Sequence, residues 1–389
     1  MKKIAVLGFG VVGKGVCKVI EENAHIIGQR ANEEVCLGYI CDLCDFPDSP
    51  YGSLHTKDFN DILNDPDVAV VAELTGARGA AYEMSKKALM AKKSVVTSNK
   101  EVVAAYGAEL LQIARENGVS YLFEASVGGA IPILRPLRDC MQGDRIGAVY
   151  GILNGTTNYI LTEMGKTGAS YQDALAEAKA LGYAEPNPAA DVEGKDACRK
   201  ICILGACISG KLVSPEEVDT KGITEVTVKD IRLAERLGGK IKLIGRAEVC
   251  DRGLTLSVSP TFVPFGNPLS FVDGVFNAIL VSCAAAGELM FYGRGAGSVP
   301  TAAAVAGDIA EALTSPTHLE WQPAHPVAAS APASLFLVYS GCDEALGFAT
   351  ASYGGVSGAL VPAEEAEGAI ERIKALGGRI IAEYKAMLG

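Results

Sequence analysis

Histidine is scarce in this 389-residue sequence, with four copies, and the eleven cysteines lie scattered mostly through apolar stretches such as KICILGACISG. So few imidazoles leave little for a zinc site or a serine–histidine nucleophile. Cys41 and Cys44 form a lone CxxC without a second pair, so the cysteines read as small core residues of a reducing compartment. No apolar run approaches the roughly 18 residues that span a bilayer. A Lys/Arg stripe is missing too, and 35 basic against 46 acidic residues give a net charge of −11, which argues against nucleic acid as a partner. The opening MKKIAVLGFG begins like a signal peptide but breaks at glycine with no cleavage site, so it reads as a first strand of a cytoplasmic protein. What remains is ordinary globular material, 49% apolar and 21% charged, long enough for two or three domains.

Apolar runs at 3–8, 35–41, 68–74, 94–98 and 119–124 alternate with helical patterns at 11–27, 78–92 and 101–117. Strands apolar on both faces and separated by helices predict an α/β fold, a Rossmann-type doubly wound parallel sheet over residues 1–133. Residues 134–297 read as an α+β domain, with strands at 145–153, 241–249 and 254–263 and helices at 157–166, 171–181 and 194–211. An Ala-rich helix within 298–314 is expected to pack back on the first domain. Residues 315–389 read as a Pro-rich linker and a small βαβ-like appendage. The apolar segment 275–291 suits either a core or a subunit interface.

Gly8-Phe9-Gly10-Val11-Val12-Gly13 is a GxGxxG between a strand and a helix. The first glycine permits the turn, the second lets backbone approach a pyrophosphate, and the third lets helix and strand pack closely. Asp42, ending the second strand, is placed to hydrogen-bond the ribose hydroxyls and repel a 2′-phosphate, which favours NAD over NADP, with Asp45 and Lys57 near enough to intrude. Ligands of such sheets bind beyond the carboxyl ends of strands. Thr75, Lys100 and Glu124 each follow or close a strand and are expected on that edge. A lysine opening a helix works against the helix dipole, which favours a functional reading of Lys100 over a merely solvated one.

The segment from Gly182 to Lys200 is the second concentration of chemistry. Asp196 and Lys200 are i,i+4 near a helix start and can pair, and Glu185, Asp191 and Glu193 make an acidic setting suited to an amino group. The spacing Ala178, Gly182, Pro188, then Asp191-Val192-Glu193-Gly194-Lys195-Asp196 through Lys200, resembles the signature of the homoserine dehydrogenases. The resemblance extends in order through Glu73-Leu74-Thr75-Gly76, Thr97-Ser98-Asn99-Lys100, Phe123 to Gly129, Asn154-Gly155-Thr156-Thr157-Asn158 and Gly295-Ala296-Gly297. It implies NAD(P)-dependent interconversion of L-homoserine and L-aspartate 4-semialdehyde, a step toward threonine, methionine and isoleucine. It also implies Lys200 as general acid/base, Lys100 as a second catalytic lysine, and Glu185 and Asp196 as substrate ligands. Thr75, Gly182, Gly295 and Gly297 would join the glycine loop in contacting the cofactor. Glu124 with the main-chain oxygens of Val127, Gly129 and Ile131 would hold a sodium ion, and the middle domain would build a homodimer or homotetramer.

The chemistry agrees with that expectation, because hydride delivery to an aldehyde leaves an alkoxide that an ammonium can stabilise and protonate. The reading requires the Lys100 and Lys200 ammonium groups to converge on one reacting carbon. Three features depart from the family pattern: Arg294 in the 293–297 turn, Lys195 beside Asp196, and a 55-residue tail lacking the Asp-x-Pro-Gly opening of a regulatory ACT domain. That tail implies a truncated or divergent ACT-like domain and argues against threonine feedback through it. A thioester-forming dehydrogenase would need a thiolate, and the nearest candidate, Cys140, has no evident histidine partner. The remaining alternative is a non-catalytic dinucleotide sensor, which predicts a missing lysine or acid; all are present.

Overall fold

The computed structural model describes residues 1–251, 253–314, 316–317, 319–322, 327–328, 333–342 and 346–387. The early apolar runs form β1 (Lys2–Leu7), β2 (Val35–Cys41), β3 (His55–Thr56), β4 (Val68–Glu73), β5 (Ser94–Thr97) and β6 (Tyr121–Leu122). Between them lie α1 (Val11–Ala31), α2 (Phe59–Asn64), α3 (Arg78–Met90) and α4 (Lys100–Asn117). The strands make one parallel sheet in the order β3-β2-β1-β4-β5-β6, the doubly wound order with its switch point between β1 and β4. Register places Leu7 beside both Cys41 and Glu73, and Glu73 beside Thr97, so four strand ends share one edge.

The remaining elements are β7 (Ile146–Ile152), α5 (Gly155–Thr167), α6 (Tyr171–Ala180), α7 (Ala189–Val192), α8 (Lys195–Ser209), β8 (Asp219–Thr220), α9 (Val228–Arg236), β9 (Gly239–Cys250), β10 (Gly253–Pro264), β11 (Phe276–Cys283), β12 (Gly287–Arg294) and α10 (Ser298–Thr314). The tail adds β13 (Leu335–Ser340), β14 (Ala349–Tyr353), β15 (Val356–Val361), α11 (Ala366–Ala375) and β16 (Arg379–Ala386). A second sheet of ten strands follows the order β12-β11-β7-β9-β10-β16-β13-β15-β14, with β8 paired to β10.

Two compact units divide the chain: Met1–Gly143 with Cys202–Pro215 and Arg294–Pro326, and Asp144–Ile201 with Glu216–Gly293 and Val327–Gly389. The sequence partition differs by giving 134–143, 202–215 and 294–297 to the middle domain and by setting 315–389 apart, whereas the tail from 327 belongs to the second unit. The latter half of α8 falls in the first unit, where Lys211 also bridges Gln322. α10 supplies Ala302, Val305 and Ile309 to the core that holds Ile4, Val16 and Ile20. Half of the proposed linker, including Ser315, His318 and 323–326, lies outside the described residues.

Other elements depart from the sequence reading in detail. The expected strand at 119–124 is reduced to Tyr121–Leu122, because the backbone turns at Phe123 (φ −152°, ψ 35°) into a short 3-10 segment at Glu124–Ser126. α9 goes unread in the sequence although Thr227 and Asp230 form a reciprocal capping box at its start. The segment 275–291 divides between buried β11 and edge strand β12, on which Met290 and Tyr292 are exposed. In the tail, Gly354 and Gly355 both take positive φ and close a two-residue hairpin between β14 and β15.

The tail continues the second sheet, since β16 runs parallel to β10 through Thr261–Lys385 and Phe262–Ala386 pairs. Its buried Tyr384 hydroxyl donates to Oδ2 of buried Asp230 at 2.8 Å, and burial together with the Asp230 charge pushes that phenol far above its ordinary range. Tyr384→Phe removes a hydrogen bond to a charged group and is expected to cost about 1.5–3 kcal/mol. Urea unfolding of the two proteins measures it, with an unchanged midpoint contradicting the assignment.

Candidate functional site

In the first unit the three loop glycines have separable jobs. Gly8 takes φ +93°, and a Cβ there would stand 2.9 Å from the Leu74 carbonyl oxygen. A Cβ on Gly13 would stand 2.0 Å from the Gly8 carbonyl oxygen, so only glycine lets α1 lie this close to the loop. Gly10 instead has nothing among the described residues within 4 Å of its Cβ position. It caps α1 with no side-chain hydrogen bond, which leaves the helix's first amides to an anion. Exposed Val11 and half-buried Val12 follow it. This open cradle fits the pyrophosphate of a dinucleotide.

Asp42 reaches the loop directly: Oδ2 accepts from the Phe9 amide at 2.6 Å and Oδ1 from the Cys44 amide at 2.9 Å. Phe9 packs on Phe46 and Tyr51, and Phe46 on His55, so the unusually long 42–54 connection closes as an aromatic cluster beside the loop. Lys57, one of the two residues expected to intrude, pairs with the other, Asp45, at 2.7 Å.

Thr75 and Lys100 stand on the same strand edge as the loop. Thr75 is half-buried after β4. Lys100 is half-buried at the first position of α4, whose cap Asn99 accepts from the Val102 amide. A fully buried Glu73 lies beneath them, accepting from the Thr75 amide and hydroxyl and from the Thr97 hydroxyl. The 295–297 turn joins this edge too: the Ala130 amide donates to the Arg294 carbonyl, a Gly129 Cβ would meet the Gly295 carbonyl oxygen at 2.5 Å, and Ser298 Oγ donates to the Val11 carbonyl. Gly295 and Gly297 therefore sit between the 128–131 turn and the start of α1.

Glu124 is buried, and its carboxylate accepts from the Ile133, Leu134 and Arg135 amides at 2.6–2.8 Å. A carboxylate offers about four acceptor positions, and three are taken by these donors among the described residues. The turn that follows folds tightly, with Gly129 at φ +60° and the Ile131 carbonyl oxygen 2.4 Å from where a Gly128 Cβ would be. The Glu124 carboxylate and the carbonyls of Val127, Gly129 and Ile131 lie within eight residues of sequence and are oxygen donors of the kind a hard cation takes.

The second unit carries the other lysine. Lys200 is buried on α8; its ammonium donates to the Leu153 carbonyl at 2.8 Å and lies 2.9 Å from Asp196 Oδ2, one helical turn earlier. Asn154 completes the cluster, giving one amide hydrogen to Asp191 at 2.8 Å and the other to Asp196 at 3.0 Å. Its Oδ1 caps α5 through the Thr157 amide. Lys195, the extra cation, is exposed and ion-paired with Glu193. Gly182 takes φ +74° where the chain leaves α6, and Glu185 is exposed on the loop that follows, to which Thr156 is tied by its bond to the Tyr183 carbonyl.

Asn154 and Glu73 are the residues whose parts the sequence reading left unassigned. An Asn opening a helix at Asn154-Gly155-Thr156 marks a cap, but its second task toward two acids separated by 37 and 42 residues is a tertiary fact.

Residues 132–310 match the family model described as homoserine dehydrogenase, and residues 8–124 the one described as its NAD-binding domain. The Bacillus subtilis homoserine dehydrogenase is 44% identical over 311 residues, covering 79% of this chain and 72% of the relative. The crystal structure of a homoserine dehydrogenase from Thiobacillus denitrificans superposes with a TM-score of 0.89 at 34% identity, covering 99% of this chain and 98% of that one. A hyperthermophilic archaeal homoserine dehydrogenase in complex with NADPH gives 0.70 at 30% identity over 82% of this chain and all of that one. With a glycine cradle on one unit, a buried lysine–aspartate pair on the other, and these relatives spanning both, the chain belongs to the homoserine dehydrogenase family of NAD(P)-dependent oxidoreductases.

Proposed function

We propose that this protein interconverts L-homoserine and L-aspartate 4-semialdehyde, with Lys200 moving the proton at the substrate oxygen. The observation that carries the reading is the buried Lys200–Asp196 pair with its Leu153 and Asn154 partners. An ammonium fixed at two points in a poorly hydrated site is preorganised to stabilise a developing alkoxide and to protonate it. In the reverse direction the neutral amine accepts the hydroxyl proton. When bound, the nicotinamide dinucleotide would supply the two-electron hydride chemistry, and the glycine loop, Thr75, Gly182, Gly295 and Gly297 would hold it. Lys100 contributes a second ammonium to the reaction, and Glu185 and Asp196 hold the substrate amino group.

Asp42 favours NAD, because its carboxylate at the loop adds negative charge where a 2′-phosphate would lie. Glu124 with the carbonyls of Val127, Gly129 and Ile131 holds sodium as a structural ion. The exposed apolar residues of β12 support assembly as a homodimer or homotetramer. The test is steady-state turnover of L-homoserine with NAD and with NADP. We expect product formation with NAD at a higher kcat/KM; equal values overturn the cofactor preference, and no turnover with either overturns the reaction.

A further inference from the structure

Buried Glu73 has no part in the chemistry above, yet three donors converge on it. Oε1 accepts from the Thr75 amide at 2.9 Å and the Thr75 hydroxyl at 2.7 Å, while Oε2 accepts from the Thr97 hydroxyl at 2.8 Å. Thr97 Oγ1 in turn accepts from the Asn99 amide at 2.9 Å, and Asn99 caps the helix that Lys100 opens. A carboxylate can only accept, and a threonine hydroxyl has a single proton. Glu73 therefore draws the Thr75 proton inward, and half-exposed Thr75 can offer a ligand lone pairs only.

Resting on the reading of Thr75 as a cofactor contact, we propose that Glu73 is a positioning residue that makes Thr75 an obligate acceptor for the carboxamide N–H of the nicotinamide. The amide group is the donor on the cofactor's reactive ring, and pairing it fixes the ring's rotation. An unpaired hydroxyl, free to turn, would recognise an N–H and a carbonyl alike. The same carboxylate, through Thr97 and the Asn99 amide, sets the start of α4 and hence the Lys100 backbone.

The experiment compares NAD with its 3-acetylpyridine analogue, in which a methyl replaces the amide NH2. Homoserine oxidation is followed for wild type, Thr75→Ser, Thr75→Val and Glu73→Gln. Two quantities are read. One, by calorimetry without homoserine, is the ratio of the two affinities, which must move with the second. The second is the ratio of kcat/KM for NAD to that for the analogue, in which the analogue's intrinsic reactivity cancels between variants. Thr75→Val should lower this ratio about tenfold, the loss of one hydrogen bond. Glu73→Gln should lower it at least threefold, and Thr75→Ser should keep it. Should the glutamine variant fail to fold, Thr75→Val carries the test, since it leaves Glu73 its amide and Thr97 donors. Equal losses for both cofactors in the valine variant, as a ribose contact or a purely structural role would give, overturn the proposal. Absence of wild-type turnover would instead overturn the proposed reaction, a separate result, and the affinity ratio would still decide this proposal.

Discussion

Replacing Lys200 by methionine is expected to lower kcat by roughly 10²–10⁴-fold, the range spanned by general acid–base groups. Methionine keeps the apolar stem and deletes the ammonium that contacts Leu153 and Asp196. Folding will also suffer, because Asp196 stays buried without its cation and breaking such a pair costs about 3–5 kcal/mol. The Asn154 amide, still donating to Asp196, offsets part of that. The double variant Lys200→Met/Asp196→Asn separates the effects: removing both charges should recover most of the stability and none of the turnover. Lys200→Arg gives a third arm, since guanidinium retains charge yet does not surrender a proton. Rate recovery in the double variant, or near-normal kcat in any of the three, would refute the role. Initial-rate kinetics beside thermal unfolding supply both readouts.

The second large effect belongs to the glycine loop. Gly13→Ala puts a methyl 2.0 Å from the Gly8 carbonyl oxygen, a backbone atom that no side-chain rotation can move aside. α1 must lift off the loop. Overpacking of this kind costs about 1–3 kcal/mol, and an ångström of displacement at a positioning element is worth roughly 100-fold in activity. Gly10→Ala is the control. Its φ of −75° suits any residue and no neighbour among the described residues stands within 4 Å, so the unliganded protein should melt as wild type does. The methyl nonetheless occupies the approach to the cradle, so dinucleotide affinity measured by calorimetry should fall. Equal melting and equal affinity for both variants would refute the division of labour.

The parallel sheet was legible in the sequence because strands covered on two faces must be apolar throughout, and 35–41 or 68–74 can be little else. The glycine loop, Asp196 and Lys200 were legible because their spacing is local: one turn, one helix face. Glu73, Asn154 and the hairpin of the tail were not. An isolated acid at a strand end has no local signature, and its partner Thr97 lies 24 residues away. The strand expected through Glu124 failed for a related reason: backbone amides nine to eleven residues later draw that carboxylate around.

α10 adds a constraint on how the protein is made. Its Ala302, Val305 and Ile309 close a core begun by Ile4, Val16 and Ile20, roughly three hundred positions earlier. A nascent chain leaving the ribosome therefore holds these N-terminal side chains without their final cover until synthesis has passed residue 309. During that interval the first layer exposes apolar surface of the kind that makes incomplete chains prone to aggregate, and slow translation of the middle segments prolongs it.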